Sequence, residues 1–467
     1  MDCSKSQSSP LWNVRNGESE DITYLSLKNF VWRYRGEGNA NLVIALPREK
    51  IILRMQKCDY NAILDPNTVQ DWEIKLKKSV VFYKKVMVPL LGTEFILPPD
   101  LARISEDEIR DIDRLLLKLR PTFRLSKGLR LGLVTVQPDY TLLPPRVFLN
   151  HNSSYLPQNN EEFSTFCVEI KPKQGWVPLS DRHHPKCTFC LKQYLKLQKK
   201  RASSKSKYCP LDLFSGDRPR MRQALESLLE TPQNNLKIFH NGNILYGEES
   251  STGLNEVLEM FFGVKDQANT RNVVDRWCHL VLDALTREFD SEECLPPVIC
   301  TDNVDKILIS STCSSLGSIQ RNADQPCDWS SLPLPPKCIL QRVLSVQKLQ
   351  TSDFKSIYSQ YKEQSELRDN YSYVDELFCL NNHLDDVQRY LLSATAKDCS
   401  VFIAFQRTKN TFNENSSTHI RDIEGICYQL NIGISDIDPK PLSCIGKHHK
   451  RGQELIAAAR QHDISDN

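Results

Sequence analysis

Hydrophobic residues alternate with polar ones over several short stretches of the chain, and this period of two is typical of β-strands. The first three stretches, separated by turn residues, predict an antiparallel hairpin followed by a third strand. The predicted strands lie at residues 30–34, 42–45, 51–54, 131–136, 165–171, 236–239, 244–246 and 401–405, with a last one that ends at residue 437.

A helical spacing of hydrophobic residues covers much of the remaining sequence. Trp72, Leu76 and Val80 are four residues apart and share one face of a predicted helix at about 70–91. Further helices are predicted at about 105–119, 220–229, 338–366 and 383–393. A chain of 467 residues has enough material for two or three lobes.

Two stretches show neither pattern. Residues 1–28 contain Ser, Asn and Glu but few large apolar side chains, so we expect a flexible N-terminal extension. Residues 291–337 are dense in Ser, Pro, Cys and Asn, without a sustained period. We interpret this second stretch as a surface insertion or connector.

The composition excludes some function classes. A net charge of +2 gives no general attraction for polyanions, so a phosphate-binding surface must come from local clustering of cations. Neither a signal peptide nor an apolar run of membrane-spanning length is present, which predicts an intracellular protein. In a reducing compartment the 16 cysteines are better interpreted as buried residues, thiols or metal ligands than as disulfides.

The turn between the first two predicted strands is the first candidate for phosphate chemistry. Gly36 and Gly38 have no side chains, so backbone N–H groups there can approach phosphate oxygens. A glycine pair in a hairpin is, however, more often an ordinary tight turn. Arg54, on a following strand, would add a cation for nucleotide phosphates or simply lie at the end of a surface strand.

The predicted strand at 165–171 has one apolar and one charged face. The apolar side chains are those of Phe166, Val168 and Ile170, and the charged ones are those of Glu169, Lys171 and Lys173. Pro172 removes a backbone donor, so strand pairing should end there and leave the two lysines at the strand mouth, where ligands often bind. An ordinary solvated strand would show the same alternation.

Carboxylates occur at the ends of two late strands. Asp398 precedes the strand at 401–405, and a period of two would place Asp436, Asp438 and Lys440 on one face. Such a face combines oxygen ligands for Mg²⁺ with a cation for phosphate. Asp398 would then act as the base that takes a hydroxyl proton in phosphoryl transfer. Taken singly, each carboxylate is a common cap or turn residue.

Six segments occur in an order that resembles the inositol-pentakisphosphate 2-kinase family. They are GEGNAN, VEIKPKQGW, YCPLDLFSG, QNNLKIF, TAKDCSVFI and DIDPKP, and they extend from Gly36 to Pro441. The resemblance implies an α+β, bilobal kinase-like fold, with a nucleotide-binding N-lobe at 29–140 and a C-lobe at 141–467 that contains the inositol-phosphate-binding region. It also implies ATP-dependent phosphorylation of the 2-hydroxyl of inositol 1,3,4,5,6-pentakisphosphate to give inositol hexakisphosphate.

The matching motifs imply roles for individual residues. Asp398 corresponds to the catalytic base, Lys171 to the lysine at the transferred phosphate and Asp436 to the Mg²⁺ ligand. Nucleotide contacts would come from Gly36, Glu37, Gly38, Asn39, Asn41, Arg54, Glu169 and Lys237. Lys237 replaces an Arg of plant members, which keeps the charge but loses the forked geometry.

The resemblance further implies a cation-rich pocket, because the substrate carries on the order of ten negative charges. Its members would be Arg124, Lys173, Lys196, Asn234, Asn235 and Lys440. After DIDPKP, plant members have an Arg and a Tyr that hold substrate phosphates, whereas this chain has Cys444 and His448 at those offsets. Either the loop is rearranged or the charge comes from Lys447, His448, His449, Lys450 and Arg451.

A group of metal-binding residue types follows the EIKPK segment. His184, Cys187 and Cys190, together with Cys209, have residue types and a spacing suited to a closed structural Zn²⁺ site, and His183 is an alternative to His184. Buried cysteines without a metal would give the same pattern.

Seven Lys and Arg residues without an intervening acid occupy residues 192–207. Such a run is typical of a solvated basic face, a nuclear-localisation signal or a nucleic-acid-binding patch. The six motifs favour an enzyme over a nucleic-acid-binding module, and the P-x-x-x-D-x-K-x-G signature of inositol-polyphosphate multikinases is absent. We expect a monomer in the cytoplasm and nucleus, with no membrane partner.

Overall fold

The structure, a computed structural model, describes residues 22–60, 66–143, 164–264, 270–289, 321–378, 384–409 and 416–465. Within these ranges the strands are β1 (Thr23–Tyr24), β2 (Arg33–Glu37), β3 (Asn41–Leu46), β4 (Ile51–Asp59), β5 (Asp100–Ile104), β6 (Lys127–Leu129), β7 (Gly132–Pro138), β8 (Thr165–Ile170), β9 (Leu236–His240), β10 (Asn243–Tyr246), β11 (Ser400–Arg407), β12 (His419–Arg421) and β13 (Cys427–Ser435).

The α-helices of the same ranges are α1 (Pro66–Phe82), α2 (Val88–Leu91), α3 (Glu106–Leu116), α4 (Thr188–Gln198), α5 (Pro210–Leu213), α6 (Arg218–Glu230), α7 (Leu254–Phe262), α8 (Thr270–Leu285), α9 (Ile339–Gln347), α10 (Phe354–Ser365), α11 (Ser372–Leu377), α12 (Asp386–Ala396) and α13 (Cys444–Ser465). A π-helical turn, Tyr83–Met87, joins α1 to α2. None of these helices combines the length and the apolar character needed to cross a membrane.

The first sheet has the strand order β1-β5-β7-β4-β3-β2, and β6 pairs with β4 at its far end. Its pairs are antiparallel except for β1 with β5. Along β4, Ile51, Leu53 and Met55 alternate into a core that also contains residues of α3. Arg54 therefore points from the opposite face, toward the second sheet.

The second sheet has the order β10-β9-β8-β11-β13-β12, and its pairs are antiparallel. Phe166, Val168 and Ile170 of β8 pack into a large core shared with helices of the second half of the chain, which confirms the apolar face predicted for this strand. The other face of the strand carries Cys167 and Glu169 and is directed toward the first sheet. The two sheets and their helices form an α+β fold, as predicted, and the arrangement is compatible with two lobes.

Side chains of the first sheet contact the second sheet directly. Arg33 donates a hydrogen bond of 2.6 Å to Asn243, and the Arg35 guanidinium lies 4.7 Å from the centre of the Phe239 ring. Tyr140, which follows β7, packs so closely on Gly433 of β13 that a Cβ at that position would overlap the ring. Gly433 therefore permits this close approach between the two halves.

Two predicted boundaries are wrong. Residues 22–28, which we assigned to the flexible extension, include β1, and Leu25 and Leu27 are buried in the core of the first sheet. Residues 321–337, which we assigned to a surface insertion, place Cys327 and Leu334 in the large core. Each of these short segments contributes only a few apolar residues to a core, and so few residues show no hydrophobic periodicity in the sequence. Residues 1–21 and 291–320 lie outside the described residues.

The predicted helix region at 338–366 is two helices. Asp353 is the N-cap of α10, because its carboxylate accepts the backbone N–H of Ser356. The other predicted strands and helices within the described ranges are confirmed, with ends that differ by a few residues.

Candidate active site

The ends of three neighbouring strands bring charged residues together at one edge of the second sheet. β11 pairs with β8 on one side and with β13 on the other, and both pairings are antiparallel. The end of β8, the start of β11 and the end of β13 therefore meet. Lys171 follows the first, Asp398 precedes the second and Asp436 follows the third. Segments far apart in sequence thus supply one cluster.

The carboxylate of Asp398 lies between two lysines. Lys173 Nζ is 3.0 Å from its Oδ1, and Lys440 Nζ is 2.8 Å from its Oδ2. Burial by itself would raise the pKa of Asp398, but the two ammonium groups outweigh it and hold the pKa well below its ordinary value. Asp398 is therefore an ionised acceptor, placed among cations that suit a phosphorylated ligand.

Asp436 occupies a sharp change of chain direction after β13. Its φ of 61° lies in the left-handed region, which is strained for a residue with a Cβ. Its carboxylate lies 2.7 Å from Lys171 Nζ and 3.6 Å from a guanidinium nitrogen of Arg54. Burial opposes ionisation, yet Lys171 and Arg54 lower the pKa of Asp436 to about 2. Because β13 ends at Ser435, this turn and not strand alternation sets the direction of the carboxylate.

Arg54 connects the first sheet to this edge of the second sheet. Its guanidinium is 2.8 Å from Asp438 Oδ2, and Asp438 Oδ1 accepts a hydrogen bond of 3.3 Å from Ser79. Asp436 and Asp438 thus direct carboxylate oxygens at a single cation. Carboxylate oxygens are the ligands that Mg²⁺ prefers, so this pair of residues fits a magnesium site.

Glu169 lies behind Asp436 in a connected network. The hydroxyl of Ser400 lies 3.0 Å from Glu169 Oε1 and 3.1 Å from Asp436 Oδ2, and it can donate its one hydrogen to either. Glu169 and Lys237 face each other across β8 and β9, with Lys237 Nζ 3.9 Å from Glu169 Oε2. Sequence reasoning missed Ser400, although it lies inside the TAKDCSVFI segment.

A basic cavity of about 230 Å³ adjoins the cluster. Six of its described lining residues are cations and none is an acid; the cations are Lys173, Lys192, Lys196, Lys199, Arg201 and Arg451. Lys192, Lys196 and Lys199 lie on one face of the α4 region at i, i+4 and i+7, a helical spacing that is visible in the sequence.

Asn234 and Asn235 also line the cavity. The side-chain amide of Asn235 donates to the backbone C=O of Lys171 at 3.1 Å, and the backbone C=O of Asn235 accepts the backbone N–H of Lys171 at 2.9 Å. The side chain of Lys196 donates to Gln233. The predicted residues Lys173, Lys196, Asn234 and Asn235 are therefore brought together.

The backbone around the glycine-rich turn gives Glu37 a different position from the one that the sequence predicts. Residues 38–40 link β2 to β3, and Gly38, Asn39 and Ala40 are exposed. A bulge between Tyr34 and Gly36 shifts the alternation of β2. The Glu37 side chain consequently lies on the α3 side of the sheet, 1% exposed, where it pairs with Lys57 and Arg120. We had assigned Glu37 to the nucleotide, but this geometry gives its carboxylate a role in folding.

Arg124 lies apart from the cavity wall in the described structure. It belongs to a 3-10 helix, Thr122–Arg124, beside the first sheet, and its guanidinium is 5.1 Å from the centre of the Phe123 ring. Arg120 fixes this segment by donating to the C=O of Arg124 at 3.0 Å.

A family model described as Inositol-pentakisphosphate 2-kinase matches residues 34–454, a range that contains every residue of the cluster and of the cavity. The chain belongs to the inositol-pentakisphosphate 2-kinase family. The chain is similar to the inositol-pentakisphosphate 2-kinase of Danio rerio, with 27% identity over 91% of this chain and 92% of the relative. Its identity to that of Arabidopsis thaliana is 26%, over 93% of this chain and 94% of the relative.

The relative from Drosophila melanogaster, also named inositol-pentakisphosphate 2-kinase, is 26% identical over 61% of this chain and 59% of its own length. The matches confirm the predicted family, and with it the assignment of the chain as an enzyme of the transferase class.

This family member also contains a compact group of four buried cysteines. The sulfur atoms of Cys187, Cys190, Cys209 and Cys327 lie within 4.8 Å of one another. The separations between Cys187 and Cys209, Cys209 and Cys327, and Cys190 and Cys327 are 3.9, 3.7 and 3.7 Å. Tetrahedral zinc with Zn–S bonds of about 2.3 Å requires sulfur atoms about 3.8 Å apart. The four-cysteine group fits such an ion.

The proposed ligand set therefore changes at one position. Cys327 takes the place that we had given to His184, whose Nδ1 accepts the backbone N–H of Lys186 at 3.2 Å. Arg321 adds a positive charge beside the sulfur atoms, at 3.3 Å from Cys327 and 3.6 Å from Cys190. The backbone N–H of Cys187 donates to the sulfur of Cys327 at 3.2 Å. Cys327 lies more than a hundred residues from the other three, so motif spacing did not indicate it.

Proposed function

We propose that this protein uses ATP and Mg²⁺ to phosphorylate the 2-hydroxyl of inositol 1,3,4,5,6-pentakisphosphate, which gives inositol hexakisphosphate. The proposal rests on one observation, that two features of the structure lie next to each other. An ionised carboxylate, Asp398, lies at a strand edge, and a cavity with six cations and no acid among its described lining residues opens beside it. A base next to a polyanion pocket is what phosphorylation of a highly phosphorylated ring requires.

The nucleotide is proposed to lie between the two sheets. Gly36, Gly38, Asn39 and Asn41 would contact its phosphates from the β2–β3 hairpin, and Arg54, Glu169 and Lys237 would contact it from β4, β8 and β9. Asp436 and Asp438 would hold Mg²⁺, which neutralises charge on the terminal phosphates. In the free protein the positively charged guanidinium of Arg54 lies between these two carboxylates and keeps them in position.

Asp398 is proposed to take the proton of the attacking hydroxyl. In the free protein Lys173 and Lys440 hold its carboxylate, and these lysines are also proposed substrate ligands. A phosphate that draws either ammonium group away would make Asp398 more basic at the moment when the hydroxyl arrives. Lys171, 2.7 Å from Asp436, would stabilise the negative charge on the transferred phosphate.

The test is turnover of purified protein with ATP, Mg²⁺ and inositol pentakisphosphate, with the hexakisphosphate separated by chromatography. Asp398→Asn and Lys171→Ala should each lose at least about a hundredfold in kcat, since one removes the proton acceptor and the other a transition-state charge. Asp107→Asn and Lys118→Ala, at exposed positions of the α3 region, are matched controls that should keep full activity. A wild-type protein that makes no hexakisphosphate, or folded variants with normal turnover, would refute the proposal.

We also propose that Cys187, Cys190, Cys209 and Cys327 hold a structural Zn²⁺ ion. Cys187 and Cys190 lie at the start of α4, so the ion would fix this end of the helix whose other residues include Lys192 and Lys196. The role is structural because four protein sulfurs leave no open position for a substrate. The monomeric state and the cytoplasmic and nuclear location stay predictions from the sequence.

A further inference from the structure

Two helices form facing walls of the basic cavity. α13 packs against α4 through a separate apolar cluster, whose members are Leu191, Tyr194, Leu195, Leu455, Ala458 and Ala459. Arg451 lies one helical turn before Leu455, and among the described lining residues it is the one that α13 contributes. The packing therefore holds its backbone opposite the lysines of α4.

The two helical walls of the cavity carry an excess of positive charge. Among the described residues, Glu454 is the acid that pairs with the cations of the α4 region and α13, with Oε2 at 3.3 Å from Lys199 Nζ and 4.0 Å from Arg451 Nε. Partial burial together with Lys173, Lys196 and Arg451 lowers the pKa of Lys192 to about 8. Repulsion among like charges destabilises the empty cavity, and a bound polyanion would remove that repulsion.

We propose that Arg451 binds a phosphate of the inositol substrate, and that Glu454 is an internal counter-ion which this phosphate displaces from Lys199 and Arg451. The inference rests on the proposed function, because it names a ligand of that same pocket. It predicts opposite effects for two neighbouring residues. Loss of the Arg451 charge should weaken substrate binding, and loss of the Glu454 charge should strengthen it.

The experiment is calorimetric titration of the full chain with inositol pentakisphosphate at fixed ionic strength. Arg451→Gln should raise Kd about 5- to 20-fold, at or below the lower end of the range for a hydrogen bond to a charged group, because the side chain is partly exposed. Glu454→Gln should lower Kd about 2- to 5-fold. Arg460→Gln, on an exposed part of the same helix, and Glu363→Gln, on α10, are matched controls that should leave Kd unchanged.

Kinetics supply a second readout that general damage to the helix would not give. Arg451→Gln should raise KM for inositol pentakisphosphate while kcat and KM for ATP change less than twofold. Among inositol tetrakisphosphates that each lack one phosphate, one isomer should bind Arg451→Gln and wild type equally well. That isomer lacks the phosphate which Arg451 contacts.

Three results decide the matter. Equal Kd values for Arg451→Gln and Arg460→Gln, with normal wild-type turnover, would overturn this inference and leave the proposed function intact. Weaker binding by Glu454→Gln would overturn the counter-ion role. A wild-type protein that neither binds nor phosphorylates inositol pentakisphosphate would overturn both proposals.

Discussion

Replacement of Cys327 by serine tests the ligand set that the tertiary structure indicates. Cys327 lies 3.7 Å from both Cys190 and Cys209, close to the separation of about 3.8 Å that tetrahedral zinc requires. Serine keeps the size of the side chain but removes a thiolate ligand. Three sulfurs cannot close the site, so we expect the zinc content to fall from one per chain to near zero after dialysis.

The size of the stability loss follows from what the ion would connect. Structural zinc contributes on the order of 10 kcal/mol to the folding of isolated zinc-binding peptides. Here the cysteines come from segments near residues 187–190, 209 and 327, which also pack in the large core and would retain part of their contacts. We therefore expect a loss of about 3 kcal/mol in the free energy of unfolding. For a chain of 467 residues this corresponds to a fall in Tm of about 3–5 °C.

The assay combines elemental analysis with thermal unfolding, and two variants control it. Cys278→Ser changes a buried cysteine of α8 that lies outside the group, so it should lower Tm and keep zinc. His184→Asn should also keep zinc, since the structure turns Nδ1 of His184 to the Lys186 amide. If Cys327→Ser retains zinc at the wild-type level, or if His184→Asn loses it, the geometric reasoning is refuted.

Two further predictions concern charge. Because the pKa of Lys192 is about 8 in the free protein and a bound anion should raise it, substrate binding should take up a proton near pH 9 and weaken as pH rises above 8. Titration in buffers of different ionisation enthalpy measures this uptake, and Lys192→Met should abolish it. Glu37→Gln leaves Lys57 and Arg120 buried with one negative charge fewer, and should cost about 3 kcal/mol in urea unfolding with KM for ATP changed less than twofold. A large rise in that KM at unchanged stability would restore Glu37 as a nucleotide contact.

The sequence by itself determined the features that depend on neighbouring residues. Alternation in β8 assigned Phe166, Val168 and Ile170 to the core because side-chain direction in a strand is fixed by the backbone. The order of six short motifs was sufficient to indicate the family, and the matched region from 34 to 454 agrees with it. Lys171, Asp398 and Asp436 could be named in advance because each lies inside one of those motifs.

Only the tertiary structure decided which distant residues meet and where strand alternation fails. Cys327 joins the other cysteines, and Arg451 joins the lysines of α4, through contacts between segments that no local period connects. The bulge in β2 turns Glu37 away from the second sheet, and the left-handed backbone at Asp436 directs its carboxylate to Lys171. In both cases one residue with an irregular backbone conformation changes the direction of a side chain. Such an irregularity depends on packing and on pairing across the sheet, and the linear pattern of residues does not contain this information.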